Sequence, residues 1–306
     1  METPGILVAG GFLCFTFSAH THAMELTDIN GRVVLNNGVE MPYLGLGVYK
    51  TKDGSEVKNA VHAALNKGYR LIDTASYYNN EEGVGEAIYE SEIAREDIFV
   101  TSKVWNDDQG YEGTLKAFEL SVKKLGFSYL DMYLIHWPVP YDLKGTWRAM
   151  EELYQAGKVR AIGMCNSIEH QVYTVLECAT VQPAVLQNEF HPRLVQPKML
   201  HYCKQHNIQY QAWAPLMRGR ILDNPELELL ARKYNKTVAQ LLIRWDLQMG
   251  VCTIPKSVHA ERIVANADVF NFKIEDEDVK SIAQMDRDER TGAHPDHFME
   301  YFANKK

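Results

Sequence analysis

Eight short, β-rich apolar runs recur along this chain, and the stretches between them carry apolar residues at helical spacing. The runs are Tyr43 to Gly45, Tyr69 to Thr74, Ile98 to Val104, Leu130 to His136, Val159 to Met164, Ala184 to Glu189, Gln209 to Ala214 and Val251 to Pro255. Strands that alternate with helices pair in parallel, because each crossover brings the chain back to start the next strand at the same end. Eight such units in about 230 residues fit a closed (β/α)8 barrel of the α/β class better than an open doubly wound sheet.

The intervening stretches support the same reading. Val57, Val61, Ala64 and Leu65 make one helical face, and Leu115, Phe118, Val122 and Leu125 another. Thr237 to Met249 makes a third, with Thr237 placed as its N-cap. Two further helices fit Pro225 to Lys233 and Glu275 to Met285. Ahead of the barrel, Asn36-Asn37-Gly38 separates Arg32 to Leu35 from Val39 to Met41, and Asn-Gly at such a place marks a hairpin.

No linker interrupts the pattern, so residues 24–306 read as a single domain. Residues 1–23 stand apart. Ile6 to Phe17 is largely apolar and Ala23 closes the segment, which suits a signal-peptide core; Glu2 precedes it and no Lys or Arg does, which does not. The segment reads as a leader, either signal-like or non-native. The five cysteines are an odd number without metal-ligand spacing, as expected of reduced thiols in the cytoplasm, and secretion would follow only from a true signal peptide. A net charge of −8 argues against nucleic acid and anionic membranes as partners.

No Gly-x-Gly-x-x-Gly opens the first strand-helix turn. Gly83-Val84-Gly85 starts a helix but lacks the rest of that fingerprint, so a dinucleotide would bind here without a Rossmann domain. In a parallel barrel the C-terminal strand ends build the active site. Asp73, Lys103 and His136 end successive runs, and Tyr78 lies just beyond the first of them. Singly, each has a structural explanation: a helix cap, a surface lysine, a satisfied core histidine, a rim tyrosine. Together at one mouth they suit proton donation to a carbonyl as hydride arrives.

A tyrosine is a weak acid, with a pKa of about 10, and working near neutrality needs its acidity raised about a thousandfold, roughly 4 kcal/mol. An ammonium ~4 Å away supplies ~1 kcal/mol in water and ~4 kcal/mol at an effective dielectric near 20. Lys103 is therefore expected to lower the Tyr78 pKa inside a site partly closed to water. Tyr49, Trp105 and Trp137 are candidates for that closure and for contact with substrate. Asp73 would orient Lys103, and a neutral His136 would polarise the carbonyl oxygen. Two other readings remain at this point. One is a Schiff-base aldolase with Lys103 as nucleophile, and the other a nucleotide-sensing protein that keeps the fold.

From about Leu35 to Phe298 the chain resembles the aldo-keto reductases. Leu71-Ile72-Asp73-Thr74-Ala75 with Tyr78, Thr101-Ser102-Lys103-Val104-Trp105 and Leu134-Ile135-His136-Trp137-Pro138 are similar to the family's catalytic motifs, and Ile254-Pro255-Lys256-Ser257 with Arg262 to its phosphate-binding motif. The tail Arg290-Thr291-Gly292-Ala293-His294-Pro295-Asp296 resembles the branch holding glyoxal and methylglyoxal reductases, 2,5-diketogluconate reductases and prostaglandin F synthases. The resemblance implies NADPH-dependent reduction of aldehydes and ketones by a monomer, with small α-dicarbonyls and aromatic aldehydes among the substrates. It implies Tyr78 as acid, tuned by Asp73 and Lys103, with His136 orienting substrate. It also implies Asn166 and Gln187 on the nicotinamide carboxamide, Trp213 stacked on the ring, Lys256, Ser257 and Arg262 on the 2′-phosphate, and Asn266 on the adenine. Three positions depart from the family pattern: Cys165-Asn166-Ser167 replaces Ser-Asn-Phe, Ala214 replaces a serine, and Ala265 replaces a glutamate. They predict intact chemistry with modestly weakened NADPH binding.

Overall fold

The computed structural model describes residues 26–303; the expected leader at 1–23 lies outside them. A two-stranded antiparallel ribbon, β1 (Arg32–Val34) and β2 (Glu40–Pro42), precedes eight parallel strands. These are β3 (Leu46–Gly47), β4 (Leu71–Asp73), β5 (Phe99–Val104), β6 (Leu130–Ile135), β7 (Val159–Cys165), β8 (Val185–Glu189), β9 (Gln209–Trp213) and β10 (Cys252–Thr253). Each pairs with the next in chain order, and parallel bridges Leu44 to Thr253 and Gly47 to Lys256 join the two outer strands. The sheet is therefore a closed barrel. Its first strand lies slightly later than the expected Tyr43 to Gly45, because pairing at Tyr43 to Gly45 is confined to the single bridge at Leu44.

Helices follow the strands in turn. The apolar face of Ser55–Lys67 buries Val57, Val61, Ala64 and Leu65 as the spacing predicts, and Tyr111–Leu125 buries Phe118, Val122 and Leu125. Thr237 caps Val238–Gln248 through a capping box: its hydroxyl accepts from the Gln240 N–H at 3.2 Å, and the Gln240 side chain accepts from the Thr237 N–H at 3.0 Å. Outside the repeating unit stand Pro225–Lys233 and Asp276–Ala283, the two expected extra helices, and a short C-terminal helix, Phe298–Ala303, that was not foreseen. Gly83-Val84-Gly85 lies in the helix Glu81–Glu90, as expected of a helix start.

The hairpin closes the bottom of the barrel. Gly38 takes the left-handed backbone its turn requires, with φ +82°. Asn36 and Asn37 donate to the carbonyls of Pro183 and Arg160 at the N-terminal ends of β8 and β7, each at 2.9 Å. The four described cysteines are free thiols, and only Cys178 is exposed. No helix among the described residues is long and apolar enough to cross a membrane.

One buried carboxyl predicts a pH effect. Asp246, on Val238–Gln248, accepts from the Thr253 hydroxyl at 2.7 Å, and its other oxygen has no partner. Burial pushes its pKa well above the ordinary value, with the Thr253 bond opposing. The native state then binds a proton that the unfolded chain releases, so stability falls as pH rises from the ordinary carboxyl range toward the raised folded value. Asp246→Asn should flatten that fall, which thermal melts across the acidic-to-alkaline range would show. An unchanged slope would mean that Asp246 is ionised in the fold.

Candidate active site

Period-two alternation decides which side chains enter the barrel. On β5, the Ser102 hydroxyl points outward and donates to Glu81 at 2.7 Å, so Lys103 points into the lumen. Asp73, at the end of β4, meets it there: Lys103 Nζ lies 2.5 Å from Asp73 Oδ1, and the two side chains are 0% and 2% exposed. The same ammonium donates to the Thr74 carbonyl at 2.9 Å and to the Tyr78 hydroxyl at 3.4 Å. All three ammonium donors are thus engaged.

Tyr78 comes from a 3-10 turn, Ser76–Tyr78, just past β4. That turn is tied at both ends. The Ser76 hydroxyl donates to the Lys103 carbonyl at 3.0 Å, and Asn80 takes the Thr74 hydroxyl and donates to the Val48 and Thr51 carbonyls. His136 follows β6, and its ring meets Tyr78 edge-on with centroids 5.5 Å apart. The structure therefore brings Asp73, Tyr78, Lys103 and His136 together.

The electrostatics differ from expectation at one group. Burial, then the Asp73 carboxylate, push the Tyr78 phenol well above its ordinary value rather than below it. Packing around the hydroxyl penalises the phenolate more than the sequence argument allowed for. Tyr78 therefore stays protonated through the neutral range, the form a proton donor needs. Burial, with Lys103 adding to it, holds His136 well below its ordinary value, so the imidazole is neutral. Asp73 is raised by burial and pulled back by Lys103.

A second polar layer backs this group. Gln187 donates to Asp73 Oδ2 at 2.7 Å and to Gln211 at 2.8 Å. Asn166, left-handed at φ +52°, donates to the His136 carbonyl at 2.8 Å and accepts from the Trp213 indole at 2.9 Å. Cys165 Sγ lies 3.1 Å from the Asn166 amide and 3.5 Å from Gln187 Oε1. Its thiol is pushed far above the ordinary value by burial, so it is neutral and unreactive.

The proposed phosphate residues sit at the rim beyond β10. Among the described residues neither Lys256 nor Arg262 has an ion-pair partner, and both side chains are exposed. Desolvation pushes the Lys256 ammonium below its ordinary value; Glu56 opposes this and Lys50 adds to it. A lysine ammonium with a second ammonium nearby and no ion-pair partner of its own suits a bound dianion. Ser257 is nearly buried, and its hydroxyl accepts from the His259 N–H at 3.1 Å. Asn266 is nearly buried on Ala260–Asn266. Ala214 takes φ +51°, a strained backbone for a residue with a Cβ, beside Trp213.

The aromatic rim is larger than the sequence suggested. Tyr49 packs on Tyr78 with centroids 4.9 Å apart, and Trp105 lies edge-on to His136 at 5.1 Å. Tyr77 stacks on Trp105 at 3.7 Å, and Phe302 meets both Trp105 and Trp137 edge-on. Trp137 is buried in a small separate cluster with Val139, Ala293 and Phe298, so it supports the rim from beneath more than it faces the opening. Tyr77, Phe298, Phe302 and Lys50 were missed. The i, i+4 spacing of Phe298 and Phe302 near the C-terminus was the available signal.

Comparison with known proteins agrees with this geometry. The profile of the Aldo/keto reductase family matches residues 43–287. The glyoxal reductase of Bacillus subtilis is 53% identical over 273 residues, covering 89% of this chain and 99% of that protein. The 9,11-endoperoxide prostaglandin H2 reductase of Trypanosoma cruzi is 48% identical, covering 87% and 95%. Among solved structures, the aldo-keto reductase MGS-M4 from a Medee basin deep-sea metagenome library superposes with a TM-score of 0.84 at 47% identity, covering 86% of this chain and 98% of that one. The Bombyx mori aldo-keto reductase in complex with NADP does so with 0.81 at 34% identity, covering 87% and 96%. With its closed barrel, its buried Asp73–Lys103 pair against Tyr78, and similarity along nearly the full length of these proteins, the chain belongs to the aldo/keto reductase family of oxidoreductases.

Proposed function

We propose that this protein reduces aldehydes and ketones to alcohols with NADPH, taking small α-dicarbonyls and aromatic aldehydes, with Tyr78 as the general acid. The observation that carries the reading is the contact of the buried Lys103 ammonium with the Tyr78 hydroxyl at 3.4 Å. Bound NADPH supplies the hydride. Tyr78, protonated at neutral pH, gives its proton to the carbonyl oxygen as negative charge develops there. Lys103 stabilises the phenolate left behind, and Asp73 holds Lys103 in place. His136, neutral, orients the same oxygen. Tyr49 and Trp105 enclose the substrate and exclude water, and Trp137 backs them from beneath.

The cofactor has a matching set of residues. Asn166 and Gln187 would hold the carboxamide, Trp213 the nicotinamide ring, Lys256, Ser257 and Arg262 the 2′-phosphate, and Asn266 the adenine. The unpaired rim cations support the phosphate assignment, and the NADP complex of the Bombyx mori enzyme supports the choice of nucleotide. The name of the glyoxal reductase supports α-dicarbonyls. The Schiff-base alternative loses ground, since a lysine donating three hydrogen bonds has no free lone pair to attack with. The protein acts as a cytoplasmic monomer, a reading supported by the unpaired thiols among its described residues and by its family, and its net charge of −8 favours small-molecule partners over nucleic acid.

The direct test follows loss of NADPH absorbance with methylglyoxal and with an aromatic aldehyde, and identifies the alcohol formed. Failure to turn over either substrate while NADPH binds tightly would reject the substrate assignment. A finer prediction concerns Cys165. A hydroxyl is a stronger partner than a thiol for the carboxamide anchors, so Cys165→Ser should tighten NADPH binding by about 1 kcal/mol, roughly fivefold in Kd. Fluorescence titration measures it, and an unchanged Kd would reject the role given to this position.

A further inference from the structure

Glu189 ends β8 at the mouth, is 2% exposed, and makes no hydrogen bond or ion pair with Asp73, Tyr78, Lys103 or His136. Its partners come from the C-terminal segment. Oε1 accepts from the Thr291 N–H at 2.7 Å and from the Thr291 hydroxyl, and Oε2 accepts from the Gly292 N–H at 3.1 Å. The His191 ring lies 3.2 Å from Oε1 and is itself fully buried. Burial opposes ionisation of this carboxyl, but the bonds from His191 and Thr291 outweigh it and hold it below its ordinary value. A carboxylate accepting several donors at once is a strong, directional clamp.

The clamp lies directly beneath parts of the site. A Cβ on Gly292 would stand 2.7 Å from the Trp213 ring and 3.3 Å from Glu189 Oε2, so the tail backbone is wedged between the two. One residue further on, Ala293 joins Trp137 and Phe298 in the apolar cluster, and Phe302 completes the wall against Tyr77, Trp105 and Trp137. A second tether precedes the clamp, where the Arg193 carbonyl accepts from the N–H groups of Arg287 and Glu289.

We propose that Glu189 is a positioning residue: it fastens the segment from Thr291 onward over the barrel mouth, and so sets the affinity for the carbonyl substrate through Phe298 and Phe302 without taking part in the chemistry. The kinetic consequences rest on the reductase reading; the consequence for the tail does not. Glu189→Gln keeps one acceptor and presents an N–H group to the donors facing it, and Thr291→Val removes the hydroxyl from the tail side while leaving the barrel intact.

Both variants should raise KM for an aromatic aldehyde about tenfold with kcat within about threefold. Both should speed tryptic cleavage after Arg287 and Arg290 in the native protein. In a Phe302→Ala background, Glu189→Gln should add little further rise in KM, because the wall it positions is already gone. An unchanged KM, an effect that multiplies undiminished in the Phe302→Ala background, or a fall in kcat with tryptic cleavage at the wild-type rate would each overturn the proposal. A wild-type protein that reduces no carbonyl would instead sink the reductase reading, and the tryptic comparison would still judge the clamp.

Discussion

Tyr78→Phe should lower kcat for aldehyde reduction by between about a hundredfold and ten-thousandfold, the usual range for losing a positioned general acid. NADPH affinity should hold, since the variant removes one hydroxyl whose structural partner is Lys103. The pH dependence follows from the direction of the Tyr78 shift. Because burial and Asp73 push the phenol up, the active protonated form persists across the neutral range. Wild-type reduction should be flat there and decline only at alkaline pH as the phenol ionises. Oxidation of the product alcohol needs the phenolate, so it should rise over that alkaline range. Steady-state rates in both directions check this, and a reduction rate that already falls near neutrality would show that Lys103 lowers the Tyr78 pKa after all.

Lys103→Met should be the most damaging change to stability and comparable to Tyr78→Phe in its effect on rate. It leaves Asp73 in the lumen without its counter-ion, and breaking a buried pair from one side costs about 3–5 kcal/mol. The sign of the pH effect is fixed. Burial already raises Asp73, and Lys103 is the group pulling it down. Without Lys103 the folded-state value rises further, the variant folds with a proton bound, and its stability is lost as pH rises through that value. Urea unfolding should show Lys103→Met gaining stability toward mildly acidic pH. Asp73→Asn in the same chain should restore most of the stability and none of the activity. Equal stability of the single variant on both sides of neutrality would mean that Asp73 finds another partner in the lumen.

Much of this protein was legible in its sequence. The repeated strand-helix pattern, the Asn-Gly turn at Gly38 and the capping box at Thr237 are short-range signals, and each forms where the residues place it. The meeting of Asp73, Lys103 and His136 was legible for the same reason. Parallel strands all end at one face, so polar residues ending neighbouring strands must converge. What the tertiary structure alone decided depends on packing from several directions or on contacts far apart in the chain. The Tyr78 phenol moved up instead of down because desolvation sums over every neighbour, while the sequence argument weighed only one charge. Trp137 is covered by Phe298 and its cluster, and Phe302 closes the rim. Glu189 meets Thr291 across 102 residues of sequence, a separation over which no local periodicity carries information. Local pattern sets which elements form and which way their side chains point; burial, proton affinity and the closing of the mouth are set only when the chain has folded around them.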